Sequence, residues 1–501
     1  MDDIEQYDTE FLPFGFPACE EEIENSIGGE PYKRLYLRDT PFDSEASKHY
    51  TYLIVGRRGA GKTAIAQSFR FSPRFKHPHH IFVEPKAYHS VLQEARQHIY
   101  RPEDLDLSRM KSIWERALWA LIAASIDPIN GPRPTMSGIL RGIMSVLVID
   151  DGNSRAQPDP ADEAKLDDIK QRVLDSARTR PIILAIDTLE RYSLADTNLL
   201  RAVAALIEFA KDFNSSYSRS NLHIKVLMSG EIFPHLEKHL LENPLKSIRS
   251  TVYLLWQPKP LLRLIAYRFH HYLQHNHIVG SRSIATPDWN NYEDVLEKVW
   301  HPYFGKYVTN PRGVKEHTFT YLLRHTQMRP RQLIVLCNQI ASLAHADGTF
   351  PAIQNKHMVE GVEIGEITLA KEIINAFSPN FDNIESILAS MRGCSLLLDH
   401  TELDKRSWGI KSEWRAQQEL GKYSSEAFKA FLAELGIIGA VKKTTEQYIQ
   451  ADFEYSLRDR LEISPRDEFV IHPMFYKKLR VNRNTTRHVL PFSPDVLGED
   501  L

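Results

Sequence analysis

An α/β fold with a mostly parallel sheet, followed by a helical domain and a small mixed domain, is what this sequence predicts. Three observations carry the prediction. Residues 56–63 read GRRGAGKT between an apolar run and a helix-forming run. Strand-like runs and helix-period segments then alternate as far as Ser229, the pattern of a parallel sheet with crossover helices. From Pro258 the spacing turns helical, and short strand-like pieces return only after Gly436.

The first core element is Tyr50-Thr51-Tyr52-Leu53-Ile54-Val55, which is β-prone, and Ala64-Ile65-Ala66-Gln67-Ser68-Phe69 reads as a helix start. Strand, glycine loop and helix are the context that makes G-x-x-x-x-G-K-[ST] a phosphate-binding loop. Gly56, Gly59 and Gly61 let the backbone curl so that its N–H groups meet an anion. Arg57, Arg58, Ala60 and Ala64 complete that cradle. The helix that follows aims its positive end at the same anion. Lys62 is placed to reach the β- and γ-phosphates, and the Thr63 hydroxyl to ligate Mg²⁺. A P-loop NTPase core follows, with a nucleoside triphosphate as ligand. No guanine-reading Asn-Lys-x-Asp occurs, which favours ATP.

Hydrolysis needs a carboxylate that holds Mg²⁺ and a group that orients water. Pro181–Asp187 is an apolar strand ending in Asp187, with Glu190 three residues on. Asp187 is assigned to the metal and Glu190 to the water. The competing strand is Ser145–Asp151, which ends in Asp150-Asp151 but runs straight into the polar loop 151–161. Ile182–Ile186 has the stronger strand composition and sits one strand–helix unit before the strand Ile224–Ser229. Ser229, at the end of that strand, is a candidate γ-phosphate sensor; the alternative is a plain strand-end turn.

Other elements follow from spacing. Residues 1–49 form a leader, a turn at Phe11–Phe16 and then an acidic helix. It is read as a brace on the ATPase core, or else as bringing Phe14, Gly15 and Phe16 near the adenine or ribose. Ile81–Glu84 is a short strand. Trp114, Leu118, Trp119, Leu121 and Ile122 define a buried helix over 108–126, and 196–213 another. The core spans 50–254. Leu261, Leu264, Ile265, Arg268, Phe269 and Tyr272 open a helical lid domain, 255–375, in which 314–345 is helical apart from a break at Arg329-Pro330-Arg331. Proline suits a first helical turn, so Arg331 or Arg329 is a candidate to report the γ-phosphate to the lid. Arg249 and Arg191 are candidates for an arginine finger. Residues 376–490 read as a winged-helix-like domain: an amphipathic helix through Phe428, Phe431, Leu432 and Leu435, then strand pieces at 439–441, 453–455 and 468–471. Residues 491–501 are a tail.

Composition limits the function. Lys and Arg total 62 against 65 Asp and Glu, so no global charge draws the chain to nucleic acid or to an acidic membrane. Cys19, Cys337 and Cys394 are too widely spaced for a metal or redox motif. The first residues are acidic, unlike a signal peptide, and no apolar run approaches a membrane span. A cytoplasmic protein without membrane contact is expected.

GRRGAGKT, IILAIDTLE, VLMSGEIF and Arg329-Pro330-Arg331 together resemble the bacterial AAA-related, STAND-like P-loop ATPases. Within them the chain is similar to a group with a Phe-Gly…Ala-x-Glu leader (here Phe14-Gly15 and Ala18-Cys19-Glu20), an Arg-Pro-Arg start in the lid and a winged-helix-like tail, here with Phe469–Phe475. The likeness runs over about residues 11–480. It implies an ATPase core, a lid, a winged helix and a regulatory role in which nucleotide state controls oligomerisation or an effector; some relatives serve in anti-phage defence. Two departures point to slow turnover. Asp187-Thr188-Leu189-Glu190-Arg191 ends in arginine where many members have an acid, and Ser229 stands where many have arginine. No nuclease or protease constellation is visible, and His472-Pro473 reads as a packed strand end, so an effector would lie on another chain.

Three functions remain open from sequence. One is a regulatory ATPase working on a protein partner or as a homo-oligomer. Another is a nucleotide-gated scaffold with little turnover. The third is a DNA-associated ATPase, suggested by the winged helix and the basic stretch Arg480–His488.

Overall fold

The computed structural model describes residues 11–25, 30–84, 107–126, 160–187, 197–239, 250–276, 286–378, 381, 383–415 and 422–497. The chain forms two compact units, residues 38–254 and residues 1–37 with 255–501.

The unit 38–254 is built on a five-stranded sheet: β1 (Leu53–Gly56), β2 (His79–Val83), β3 (Ile182–Asp187), β4 (Leu222–Ser229) and β5 (Thr251–Tyr253), in the order β2-β3-β4-β1-β5. Every pairing is parallel, so all five C-terminal ends share one edge. The central strands β1, β3 and β4 are buried at every position. Burial on both faces explains the unbroken apolar runs of β1 and of Ile182–Ile186, while β4 also buries His223 and Lys225. Helices Leu107–Ile126, Pro160–Thr179 and Thr197–Tyr217 accompany the sheet. Trp114 and Trp119 are buried, and the Trp114 indole N–H donates to the Ala202 carbonyl at 2.8 Å, tying two of these helices together.

The unit formed by 11–37 and 255–497 is mainly helical up to Phe377, with helices Pro258–His275, Pro330–Ala346 and Asn355–Phe377 and a small hairpin, β6 (Tyr307–Thr309) with β7 (Lys315–His317). A second sheet follows in the order β12-β10-β9-β11-β8: β8 (Leu397–Leu398), β9 (Ile438–Thr444), β10 (Tyr448–Asp452), β11 (Phe469–Ile471) and β12 (His488–Leu490). Helices His400–Trp408, Lys411–Arg415 and Ser425–Glu434 precede the β9–β10 hairpin. The last helix stops where Gly436 turns to φ +70°, a conformation that L side chains adopt only at a cost.

Residues 11–37 of the leader belong to this second unit, and only 38–49 go with the sheet unit on which the sequence reading placed all of 1–49. Phe14 is fully buried, stacked on Phe269 at 4.9 Å. Its N–H donates to Asn338 Oδ1, and the Asn338 amide donates to the Gly15 carbonyl at 2.9 Å. Arg268 donates to the Phe14 carbonyl and pairs with Glu22. A Phe14 ring enclosed in this way is not available to adenine or ribose. Periodicity reveals that Phe14 is apolar, but not which core receives it.

Three local expectations change. Residues 315–317 are a strand, not the start of a helix; three residues paired across a hairpin leave no periodic trace. Residues 454–456 form a 3₁₀ turn, not a strand: the hairpin strand lies just before, at 448–452, and Tyr455 turns inward to bond His472. Residues 491–497 are no loose tail, since Phe492 and Leu497 are buried. His472 is a packed strand end. It takes the Met474 N–H on Nδ1, which leaves the proton on Nε2 to be donated to Tyr455. Burial holds its pKa well below the ordinary value.

Candidate functional site

The ends of β1, β3 and β4 bring the chemistry of the sheet unit together. Gly56 ends β1 in register with Ser229 of β4, and Asp187 ends β3 beside Leu227 of β4. The C-terminal edge of a parallel sheet is where open α/β folds place ligands. From Gly56 the chain enters the loop and re-enters a helix at Lys62–Ser68. Gly61, the residue before that helix, has φ +95° and Gly59 φ +80°. A side chain at either would strain the turn.

Lys62 is buried and folded back on its own loop, its Nζ 3.0 Å from the Gly56 carbonyl and 3.5 Å from that of Arg57. Those carbonyls hold the ammonium beside the cradle. Thr63 Oγ1 donates to Asp187 Oδ2 at 2.8 Å. Asp187 is 3% exposed, so its carboxylate is aimed at the loop and not at solvent. The contact sets the end of Ile182–Asp187 against the start of the helix Lys62–Ser68. Asp150 and Asp151, the alternative pair, lie outside the described residues, as do Glu190, Arg191 and Arg249.

Ser229 sits at the strand end with its hydroxyl donating to Glu231 Oε2 at 2.6 Å. The other oxygen of Glu231 accepts the Arg58 N–H at 2.9 Å. Glu231 thus braces the loop between Gly56 and Lys62 from the end of β4. Gly230 makes the approach possible. Its N–H donates to the Gly56 carbonyl at 3.0 Å, and a Cβ there would meet the Arg57 nitrogen at 3.0 Å. The sequence reading missed both residues. The available signal was Ser-Gly-Glu directly after the apolar run Val226-Leu227-Met228.

Arg329 and Arg331 lie in the second unit. Arg329 precedes the helix Pro330–Ala346, is buried, and donates to Gln327 Oε1 at 2.6 Å. Arg331 is more open. It donates to the Pro17 carbonyl at 3.3 Å and meets Glu372 at 3.5 Å, both long contacts. Pro330 at the first helical position fixes the direction in which the two arginines leave the chain.

Among the described residues no three His, Cys, Asp or Glu side chains gather as a metal cage. Thr63 and Asp187 instead offer two oxygen donors side by side. Mg²⁺ favours oxygen ligands and retains several waters, so this donor set fits it. No described helix is long and apolar enough to cross a membrane.

Residues 293–363 match the family model of the FunZ-associated C-terminal helical domain. No curated protein matches the chain. Among solved structures it is similar to ORC2 of Aeropyrum pernix, determined as ADPNP–ADP complexes, at 11% identity and a TM-score of 0.36 over 89% of each chain. A likeness that weak fixes neither fold nor function.

Proposed function

We propose that the chain is a regulatory ATPase of the AAA-related, STAND-like kind, which binds Mg-ATP on the loop Gly56–Ala64 and hydrolyses it slowly. The observation that carries this reading is the hydrogen bond from Thr63 to Asp187. It joins the hydroxyl that ends the phosphate-loop motif to the carboxylate that ends an apolar strand. These are the two protein oxygens a phosphate-bound Mg²⁺ requires, and the ion, when bound, would offset the charge of the β- and γ-phosphates. Lys62 leaves the Gly56 carbonyl and turns to the terminal phosphates. Glu190 orients water, and Ser229 exchanges its bond to Glu231 for one to the γ-phosphate.

In this reading the nucleotide state passes to a helical lid, residues 255–375, through Arg331 or Arg329, and to a winged-helix-like domain, residues 376–490. Support for the latter is the helix Ser425–Glu434 running directly into the β9–β10 hairpin. Its output is assembly with a protein partner or with further copies of the chain. A nucleotide-gated scaffold with little turnover is the second reading, favoured by Arg191 standing where a further acid is common in the group it resembles.

Steady-state phosphate release from the full chain, set against Lys62→Ala, separates the two. Turnover that disappears in the variant supports the ATPase. ATP binding without turnover above the variant selects the scaffold. Equal ATP affinity in both proteins removes the loop from either role.

A further inference from the structure

The second unit holds a cleft that the nucleotide reading does not use. Its walls are the β6–β7 hairpin, the helices Thr318–Arg324 and Asn355–Phe377, and the segment from Tyr476 to His488. Its enclosed volume is about 40 Å³, room for a group of a few atoms such as one oxyanion, with the rest of any ligand left at the open mouth.

Positive charge dominates the lining. Arg312 is carried on the hairpin, whose turn is tied by Asn310 Oδ1 accepting the N–H groups of Arg312 and Val314 at 2.9 and 3.1 Å. Its guanidinium donates to the Arg483 carbonyl at 2.7 Å, a neutral acceptor. The Arg483 guanidinium lies over the Tyr476 ring, 5.0 Å from its centre. Arg487 follows on the same wall. Among the described residues none of these three arginines has a carboxylate partner. The other lining cations are already matched, Arg324 to Glu316 and Lys477 to Glu363 at 2.8 Å each.

The buried carboxyl in the cleft does not offset the excess. Glu366 lies 2.6 Å from His325 Nδ1. Burial pushes its pKa up to about 8 and that of His325 well below the usual value. Burial thus disfavours the charged form of each, and among the described residues neither His325 ring nitrogen makes a hydrogen bond. Arg312 is likewise held below the ordinary arginine value by burial and by Arg483. Three arginines therefore converge with no carboxylate paired to any of them among the described residues, a mutual repulsion that an anion would relieve.

A second observation points to a ligand. His488 lines the same cleft and is 8% exposed, yet among the described residues neither of its ring nitrogens has a hydrogen-bond partner. Buried polar groups are normally satisfied. Strand β12 fixes this side chain, since the His488 N–H donates to the Gln447 carbonyl at 3.1 Å. An oxyanion between Arg312 and Arg487 would give the imidazole an acceptor.

We propose that this cleft is a second ligand site, which takes the phosphate group of a small molecule between Arg312, Arg483, Arg487 and His488. Guanidinium forks match phosphate oxygens in pairs. The site is concave with a buried imidazole, which suits a small ligand better than the outer surface of a duplex. Because one wall is the hairpin and the other the C-terminal segment, ligand binding would clamp the two together.

Isothermal titration of the full chain with pyrophosphate tests this. The chain carries Lys62→Ala, so that the phosphate loop does not contribute. One saturable site is expected. Arg312→Ala and, separately, Arg487→Gln should each weaken it by about tenfold or more, the loss of one charge-assisted hydrogen bond. Lys443→Ala, an exposed charge on β9, should leave it unchanged. Absence of saturable binding in the Lys62→Ala chain overturns the proposal, as does equal binding by all variants. Displacement of pyrophosphate by a short duplex DNA at equal phosphate concentration, with the same dependence on the arginines, would also overturn it by assigning the cleft to a nucleic-acid backbone.

Discussion

Thr63 and Asp187, 124 positions apart, share one hydrogen bond of 2.8 Å. The parallel register sets it up. Asp187 of β3 lies beside Leu227 of β4, and Ser229, two residues further, pairs with Gly56 of β1. The loop that starts at Gly56 therefore returns Thr63 to the end of β3. Asp187→Asn keeps the shape and the bond to Thr63 but removes the charge that would hold a divalent ion. ATP binding should survive, while phosphate release should fall by at least about tenfold and need more Mg²⁺. Magnesium titrations of turnover check this. Unchanged Mg²⁺ dependence with full activity would remove Asp187 from the metal's surroundings.

Glu231 accepts both the Arg58 N–H and the Ser229 hydroxyl. It holds the phosphate loop and the proposed γ-phosphate sensor through one carboxylate. Glu231→Ala frees the Arg58 N–H and loosens the loop. Hydrogen bonds to a charged group contribute about 1.5–3 kcal/mol, so ADP affinity should drop by roughly tenfold or more. Glu231→Gln, which retains one acceptor, should fall between. ADP titrations showing wild-type affinity in Glu231→Ala would reduce the residue to a surface acid.

How much of this was legible depends on range. GRRGAGKT is local, and its glycines need positive φ wherever it sits, so the loop could be read directly. The place of Asp187 at a strand end was legible because an apolar run ended in an acid. Glu231 was not: its role exists only because β4 pairs beside β1, and nothing local marks a turn glutamate as a brace. The leader shows the same limit. Phe14 is visibly apolar, but its choice of Phe269 and Asn338 lies more than 250 residues away. The stretch Arg480–His488 looks like a solvated basic terminus until His488 is seen in strand β12, at 8% exposure. Phe453-Glu454-Tyr455 looks like strand because aromatics favour it, yet the bond from Tyr455 to His472 needs a turn there.

Arg331 is held by two long contacts, to Pro17 and Glu372. An arginine so placed gives up little on moving to a stronger anion. Arg331→Ala should spare ADP binding, weaken the response to ATP, and remove ATP-dependent protection of residues 255–375 from protease. Arg329→Ala should instead lower stability, since Arg329 is buried against Gln327. Wild-type protection and turnover in Arg331→Ala would leave that arginine with the fold alone.

Glu316 and Arg324 form a buried pair, Nε to Oε2 at 2.8 Å and Nη2 to Oε1 at 3.0 Å. Burial pushes the Glu316 carboxyl up, but Arg324 outweighs it, and its pKa lies below the ordinary value. Glu316→Gln strands a guanidinium away from water. The expected cost is about 3–5 kcal/mol, read as a lower urea midpoint. Glu316→Leu combined with Arg324→Met should recover most of it, because no charge is left buried. A single variant as stable as the parent would show that the pair is solvated.

Lys225 is fully buried in β4, and its ammonium donates to the carbonyls of Lys48 and Thr51 at 2.7 and 2.6 Å. Burial opposes that charge, Arg74 adds to the opposition, and the pKa falls to about 7 from 10.5. Below pH 7 the lysine is protonated whether the chain is folded or not, and above 10.5 in neither state. Between these limits the unfolded chain binds a proton that the folded chain does not, so stability rises with pH. The slope approaches about 1.4 kcal/mol per pH unit at most. The neighbouring His49 and His223 titrate below this window, both lowered by burial, and leave it to Lys225. Lys225→Met keeps the bulk and removes the titration. Urea midpoints of the parent should climb between pH 7 and pH 9.5 relative to the variant, whose curve stays flatter. Parallel curves would mean that the two carbonyls hold Lys225 charged throughout.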